Sequence, residues 1–204
     1  MQEPGVIELI FSIAVLVFSV VAHEVSHGYA ALFLGDRTAQ RAGRLTMNPI
    51  NHLDPVGSVL VPAITFLSAG FVFGWAKPVP YNPYNLRDQK WGDAKVALAG
   101  PAANLLIALV FGFMLRFAGD LASLPVFMLM QKIVLVNIVL AVFNLFPIPP
   151  LDGSKVLYSF LPSRLRYIEE YLERYALVFM LVFVFFLWEY LMPVVELVYH
   201  LIVG

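Results

Sequence analysis

His23, Glu24 and His27 lie in the order His-Glu-Val-Ser-His. On a helix, an H-E-x-x-H pattern puts two imidazoles at i and i+4 on one face, where they can share a zinc ion. The glutamate between them is placed to act on a water bound to the metal. The surroundings are unusual for such chemistry: residues 11–22 read FSIAVLVFSVVA and residues 28–34 read GYAALFL. Ionisable groups at the depth of a membrane span are expensive and mark function by default. The pattern therefore implies zinc-dependent peptide hydrolysis inside a bilayer. A catalytic zinc takes three protein ligands and keeps one position open. The third ligand has to come from elsewhere, with His52, Asp54, Asp152, Glu189, Glu196 and His200 as candidates. Asp152 is favoured because it follows Pro147-Ile148-Pro149-Pro150-Leu151, a stretch with few backbone donors and a fixed bend, and because Gly153 allows close backbone approach.

The elements that must hold these groups are apolar. Of 204 residues, 60% are hydrophobic and 13% charged, and the mean hydropathy is +0.81, whereas a soluble domain is about half apolar and about a quarter charged. The fold class expected is an all-α polytopic membrane protein. A formal net charge of -1 gives no basis for nucleic-acid binding. Without cysteine, neither a disulfide nor a thiolate metal site can form. No repeat or low-complexity linker divides the chain, so residues 1–204 read as one membrane domain. No cleavable leader is expected, because the first apolar run follows Gln2 and Glu3 rather than lysines and itself carries the histidines.

Crossing a bilayer takes about 20 apolar residues. Runs of that order cover 6–34, 56–75, 94–118, 125–147 and 175–203, the second interrupted by Pro62, Gly70 and Gly74. Basic residues cluster in 35–55 (Arg37, Arg41, Arg44), 76–95 (Lys77, Arg87, Lys90, Lys95) and 151–174 (Lys155, Arg164, Arg166, Arg174), while 119–124 offers only Asp120. The positive-inside rule puts all three basic segments in the cytosol. That requires 56–75 to enter and leave on one side, as a re-entrant hairpin. The expectation is four spans with both termini outside; the rival arrangement has five spans, with 76–95 outside. In the four-span arrangement the His23 pair falls in the cytosolic half of the first span, and the span over 125–147 brings Asp152 to a similar depth.

These motifs are similar to those of the site-2 protease family of intramembrane zinc metalloproteases, in its short bacterial-type form without PDZ or CBS domains. The resemblance rests on His23-Glu24-Val25-Ser26-His27, on Gly100-Pro101-Ala102-Ala103-Asn104, and on Asn144-Leu145-Phe146-Pro147-Ile148-Pro149-Pro150-Leu151-Asp152-Gly153. Asn48-Pro49 and His52-Leu53-Asp54-Pro55-Val56-Gly57 add to it. The motifs cover roughly 20–155, within a catalytic core of about 6–155 that contains the family's three-helix core; the span at about 175–203 lies outside them. The resemblance implies one zinc per chain held by His23, His27 and Asp152, with Glu24 as the catalytic glutamate. It also implies a single-pass transmembrane protein as substrate, cut within the lipid bilayer in regulated intramembrane proteolysis, and a bacterial plasma membrane as the location. Asn104 and Asn144 are the candidates to hold the substrate backbone or the developing oxyanion. A substrate helix must unwind first, and 56–75 with the following KPVPYNPYN run could receive it by edge pairing. Nothing in the sequence sets an oligomeric state.

Plainer readings exist. Asp152 could merely cap the helix PLDGSKVLY, Gly100 and Asn104 could serve helix packing, and His52 and Asp54 could form an Asx-type turn before Pro55. A membrane transporter or metal-permeation protein could use the same histidines. It would need a polar path through the outer half of the membrane, where spans 1, 3 and 4 are almost wholly apolar.

Overall fold

The computed structural model describes residues 5–69, 74–118 and 124–204. Residues 1–4, 70–73 and 119–123 lie outside the described residues, and with them Asp120 and the far part of the 56–75 segment. Among the described residues the regular structure is all helical, with no β-strand. Helix α1 (Val6–Phe33) is followed by the short α2 (Thr38–Arg41) and a 3-10 turn at Pro49–His52. A π-helical turn at Pro55–Leu60 then leads into α3 (Val61–Ala69). Residues 74–82 run without helix to α4 (Gly92–Ala118) and α5 (Leu124–Asn144). The chain closes with α6 (Asp152–Phe160), α7 (Arg166–Arg174), α8 (Ala176–Val182), a π-helical turn at Phe183–Leu187, and α9 (Trp188–Val203).

Val6–Phe33, Gly92–Phe117 and Pro125–Asn144 are long and apolar enough to cross a membrane, with mean hydropathy 2.4, 2.0 and 2.3. At a rise of ~1.5 Å per residue, 20 helical residues match a hydrocarbon core of ~30 Å. Side chains such as Ile7, Phe117 and Leu135 stay exposed on these helices, which is the surface a bilayer covers. Helix α4 is the centre, packed on both α1 and α5. Ala108 and Leu115 of α4, Val134 and Ile138 of α5, and Val195 and Ile202 of α9 form the main apolar core. Toward the other end of α1, Lys132 pairs with Glu8 and donates to Ser12 Oγ at 3.2 Å, tying α5 to α1.

The last apolar run, expected as one span over 175–203, is broken. Ala176–Leu187 and Glu189–Val203 meet at 71°. The π-helical turn at Phe183–Leu187 supplies the physical reason, since such turns interrupt the i to i-4 ladder. Phe183 is fully buried there, with ring centroids 5.5 Å from Phe143 and 4.5 Å from Phe146.

The 56–75 segment turns back on itself. Trp75 N donates to Gly57 O at 3.0 Å, and Ser58 Oγ donates to Trp75 O at 2.9 Å. A Cβ on Gly57 would lie 2.3 Å from the Trp75 indole, so the glycine is what lets the two ends meet. These hydrogen bonds hold the two ends of the segment beside each other. Its described part is helical up to residue 69, so edge pairing to a substrate strand has no strand to use there; residues 74–82 are the portion without helix. The three basic segments gather at one end of the helices. Arg44 Nη2 donates to Lys77 O at 2.9 Å, Arg87 N to Leu34 O at 2.8 Å, and Lys155 Nζ to the Tyr81 hydroxyl at 3.0 Å.

Candidate metal centre

Ser19, His23, His27 and Ala31 recur every four residues on α1 and are all buried. That spacing makes one stripe along the helix, and the stripe packs against α4. Asp152 is the first residue of α6, beside the end of α5. Gly153 makes that approach possible, because a Cβ there would lie 2.2 Å from Leu145 O and 2.5 Å from Phe146 O. Asp152 caps nothing: the residue before α6 is Leu151, with no side-chain cap.

Asp152 Oδ2 lies 3.0 Å from His23 Nε2 and 3.2 Å from His27 Nε2. The other ring nitrogens decide what these contacts are. His27 Nδ1 is 2.7 Å from Val96 O, which can only accept, so Nδ1 carries the hydrogen. His23 Nδ1 is 2.7 Å from Asn104 Oδ1. The orientation of that amide is fixed, since Asn104 Nδ2 donates to Ser19 O at 3.2 Å and to Asn137 Oδ1 at 2.9 Å. Both histidines therefore turn Nε2, the nitrogen left to take a metal, toward one buried carboxylate oxygen of Asp152. With neutral imidazoles, three buried acceptors converge here and a positive charge, a proton or a metal ion, has to sit among them. Ligands of tetrahedral zinc at ~2.0–2.1 Å stand ~3.3 Å apart, close to the spacing here, and the three ligand atoms all lie within 4.8 Å of one another. Among the described residues His23, His27 and Asp152 are the group that could hold a metal ion.

Gly100 borders this point. A Cβ on it would fall 2.5 Å from His27 Nε2 and 2.6 Å from His23 Nε2. Glu24 enters the same cavity from α1, and its Oε2 accepts the Val79 N–H at 2.9 Å. The cavity measures about 350 Å³ and is lined by His23, Glu24, His27 and Asp152, by Pro78–Tyr81, and by Asn144 and Lys155 among others.

The remaining candidates divide. Asn144 lines the cavity and gives an amide hydrogen to Leu140 O at 2.9 Å. Asn104 is fully buried behind His23, with its side chain committed to His23, Ser19 and Asn137. Asp54 accepts from Val56 N and Gly57 N, both at 2.8 Å, as a turn residue. His52 Nε2 is 2.9 Å from Thr46 O. His52, Asp54, Glu189, Glu196 and His200 are not brought to the metal group. Sequence reasoning held Val79 and Tyr81 only as part of the KPVPYNPYN run and Lys155 only as a basic loop residue, and it missed Asn137. Two of these carried a signal: Asn137 is a buried amide in an otherwise apolar run, and Lys155 sits three residues after Asp152.

A profile of Peptidase family M50 matches residues 112–187. YwhC of Bacillus subtilis, named as a candidate zinc metalloprotease, is 36% identical over 182 residues, covering 85% of this chain and 80% of that protein. Rip2 of Mycolicibacterium smegmatis, named likewise, is 31% identical over 144 residues, 71% of this chain and 54% of that protein. Rip2 of Mycobacterium tuberculosis is 26% identical over 164 residues, covering 80% and 62%. No solved structure gives a significant match. The donor set, the membrane-length helices and these likenesses agree: the chain belongs to peptidase family M50, the site-2 proteases, and is a multi-pass zinc metalloprotease.

Proposed function

We propose that this protease cuts a peptide bond within the transmembrane helix of a single-pass membrane protein, with His23, His27 and Asp152 holding one zinc ion and Glu24 as general base. The carrying observation is the convergence of the His23 and His27 Nε2 atoms and one Asp152 carboxylate oxygen beside Glu24 in one cavity. Zinc, when bound, supplies Lewis acidity that polarises the scissile carbonyl and makes water more acidic. Glu24 takes a proton from the attacking water and returns it to the leaving amine nitrogen. The Val79 N–H holds the Glu24 carboxylate in place for both transfers. Asn104 and Val96 fix the tautomers of His23 and His27, the orienting role that outer partners of metal ligands commonly play. Asn104 thus acts through His23 rather than on substrate, whereas Asn144 is within the cavity and can meet the substrate backbone.

A helical substrate hides its carbonyls in its own hydrogen bonds and must unwind. Pro78–Tyr81 is the non-helical stretch along the cavity against which an unwound strand can lie. Pro78 and Pro80 have no N–H, so that stretch offers mainly carbonyls. The catalytic end of the helices carries the basic segments and is the cytosolic end of a bacterial plasma-membrane protein with both termini outside.

The test is cleavage of a single-pass reporter by purified protein in micelles, wild type beside Glu24→Gln, with zinc measured on both. The expected result is zinc on both and a loss of roughly 10²–10⁴ in the variant's rate. Equal cleavage by the two, or absence of zinc from the wild type, would sink the reading.

A further inference from the structure

Lys155 reaches the cavity from α6, three residues after Asp152, so the two side chains leave neighbouring positions on one helix face. Its Nζ donates to the Tyr81 hydroxyl at 3.0 Å and lies 4.8 Å from the centre of the Tyr81 ring. The Tyr81 hydroxyl donates in turn to Asp93 Oδ1, in the first turn of α4. Burial, together with the negative charge of Asp93, pushes the Tyr81 phenol well up. The phenol therefore stays protonated, its hydrogen aimed at Asp93 and its lone pair left for the ammonium. An ammonium has three N–H donors and no acceptor. Tyr81 takes one, and Lys155 has no carboxylate among the ion pairs of the described residues. A cation with two donors to spare thus sits in the cavity that also holds Glu24 and the metal group. The other polar side chains there are more committed. Tyr81 spends its hydrogen on Asp93, and Asn144 spends an amide hydrogen on Leu140 O.

We propose that Lys155 is a catalytic residue of this protease: its spare N–H donors bind the scissile carbonyl oxygen as that oxygen becomes an oxyanion. The inference rests on the peptidase reading above. As the water oxygen bonds to the carbonyl carbon, the carbonyl π pair moves onto its oxygen and Glu24 holds the proton released. On collapse the C–N bond breaks and that proton goes to the amine nitrogen. Lys155 keeps all its protons throughout; its hydrogen bonds strengthen as negative charge builds. An interaction that grows from ground state to transition state lowers the barrier rather than tightening substrate binding. Tyr81 is a positioning residue in this arrangement, acting through Lys155.

The experiment measures kcat and KM for a single-pass reporter in micelles, with zinc content, on full-length wild type, Lys155→Met, Lys155→Arg, Tyr81→Phe, the Lys155→Met/Tyr81→Phe double variant and Glu24→Gln. Lys155→Met is expected to keep its zinc and lose about 10²–10³ in kcat, the scale seen on removing one oxyanion donor, with KM changed less than about threefold. Lys155→Arg should recover most of the rate. Tyr81→Phe should lose less than Lys155→Met, and the double variant should be no slower than Lys155→Met alone. Wild-type kcat in Lys155→Met, a loss confined to KM, or loss of zinc would each overturn the proposal. Glu24→Gln separates the two readings. If it is dead while Lys155→Met is fully active, only the lysine assignment falls; if it cuts like wild type, the peptidase reading falls and takes this one with it.

Discussion

Which nitrogen of each histidine carries a hydrogen governs what His23, His27 and Asp152 can be. Val96 O and Asn104 Oδ1 each claim an Nδ1 hydrogen, which leaves both Nε2 atoms, turned toward Asp152, as the nitrogens that can take a metal. Without the Asn104 amide, His23 could rotate or take the other tautomer, and the centre would lose its preset geometry. Asn104→Ala is therefore expected to bind zinc about 10–100-fold more weakly, the usual penalty for deleting an orienting partner. Gly100 works by absence of atoms: the added methyl of Gly100→Ala would fall 2.5 and 2.6 Å from the two Nε2 atoms. Its zinc affinity is expected to drop by at least about tenfold, since metal ligands tolerate displacements of only ~0.2 Å. Titration against a chelator of known affinity reads both. Wild-type affinity in either variant would refute the corresponding geometry.

At the scale of elements, the non-helical 74–82 segment is held from both sides. Trp75 N is bound to Gly57 O and Lys77 N to His52 O. Asp36, fully buried just after α1, takes Asn82 N at 2.7 Å and Asn85 Nδ2 at 2.8 Å, and also binds the N–H and hydroxyl of Thr38. This clamp fixes the stretch whose Val79 N–H holds Glu24. Burial alone would raise the Asp36 carboxyl, but the hydrogen bonds from Thr38, Asn85 and Asn82 outweigh it and hold the carboxyl below the ordinary carboxylate range. A depressed folded value means the stabilisation is complete above the unfolded value of ~3.9 and is lost as pH falls through the lower folded value. Asp36→Asn is expected to melt below wild type at neutral pH, with the gap closing below about pH 4. Thermal melts in micelles across that range check it. A gap constant with pH would show that the charge of Asp36 contributes nothing.

At the scale of the whole molecule, the metal group joins α1 to α6 while α4 packs against α1 behind it. Any ligand bound only by the folded state raises stability by mass action, ~2.7 kcal/mol at a hundredfold excess over Kd. A zinc bound as proposed would also link His23 and His27 of α1 to Asp152 of α6. Chelation is expected to lower the melting temperature of the wild type and to leave Asp152→Ala unmoved. An equal response in both would show that the stabilising metal binds elsewhere.

Much of this was legible in the residues. Apolar runs of membrane length are set by a solvent that leaves no backbone group unpaired, so the helices over 6–33, 92–118 and 124–144 follow from composition alone. The i, i+4 spacing of His23 and His27 is a property of one helix and needs no partner to be read. Long-range juxtaposition had to come from the packed chain. Nothing in the order of residues says that Asn104 takes His23, that Val79 takes Glu24, or that Lys155 meets Tyr81, since these bonds join positions far apart in sequence and depend on how α1, α4 and α6 pack. The break at Phe183–Leu187 was hidden for the same reason: a uniformly apolar run reads as one straight span, and burial of Phe183 against Phe143 and Phe146 bends it. Local periodicity records which face a helix must bury; only packing chooses what it is buried against.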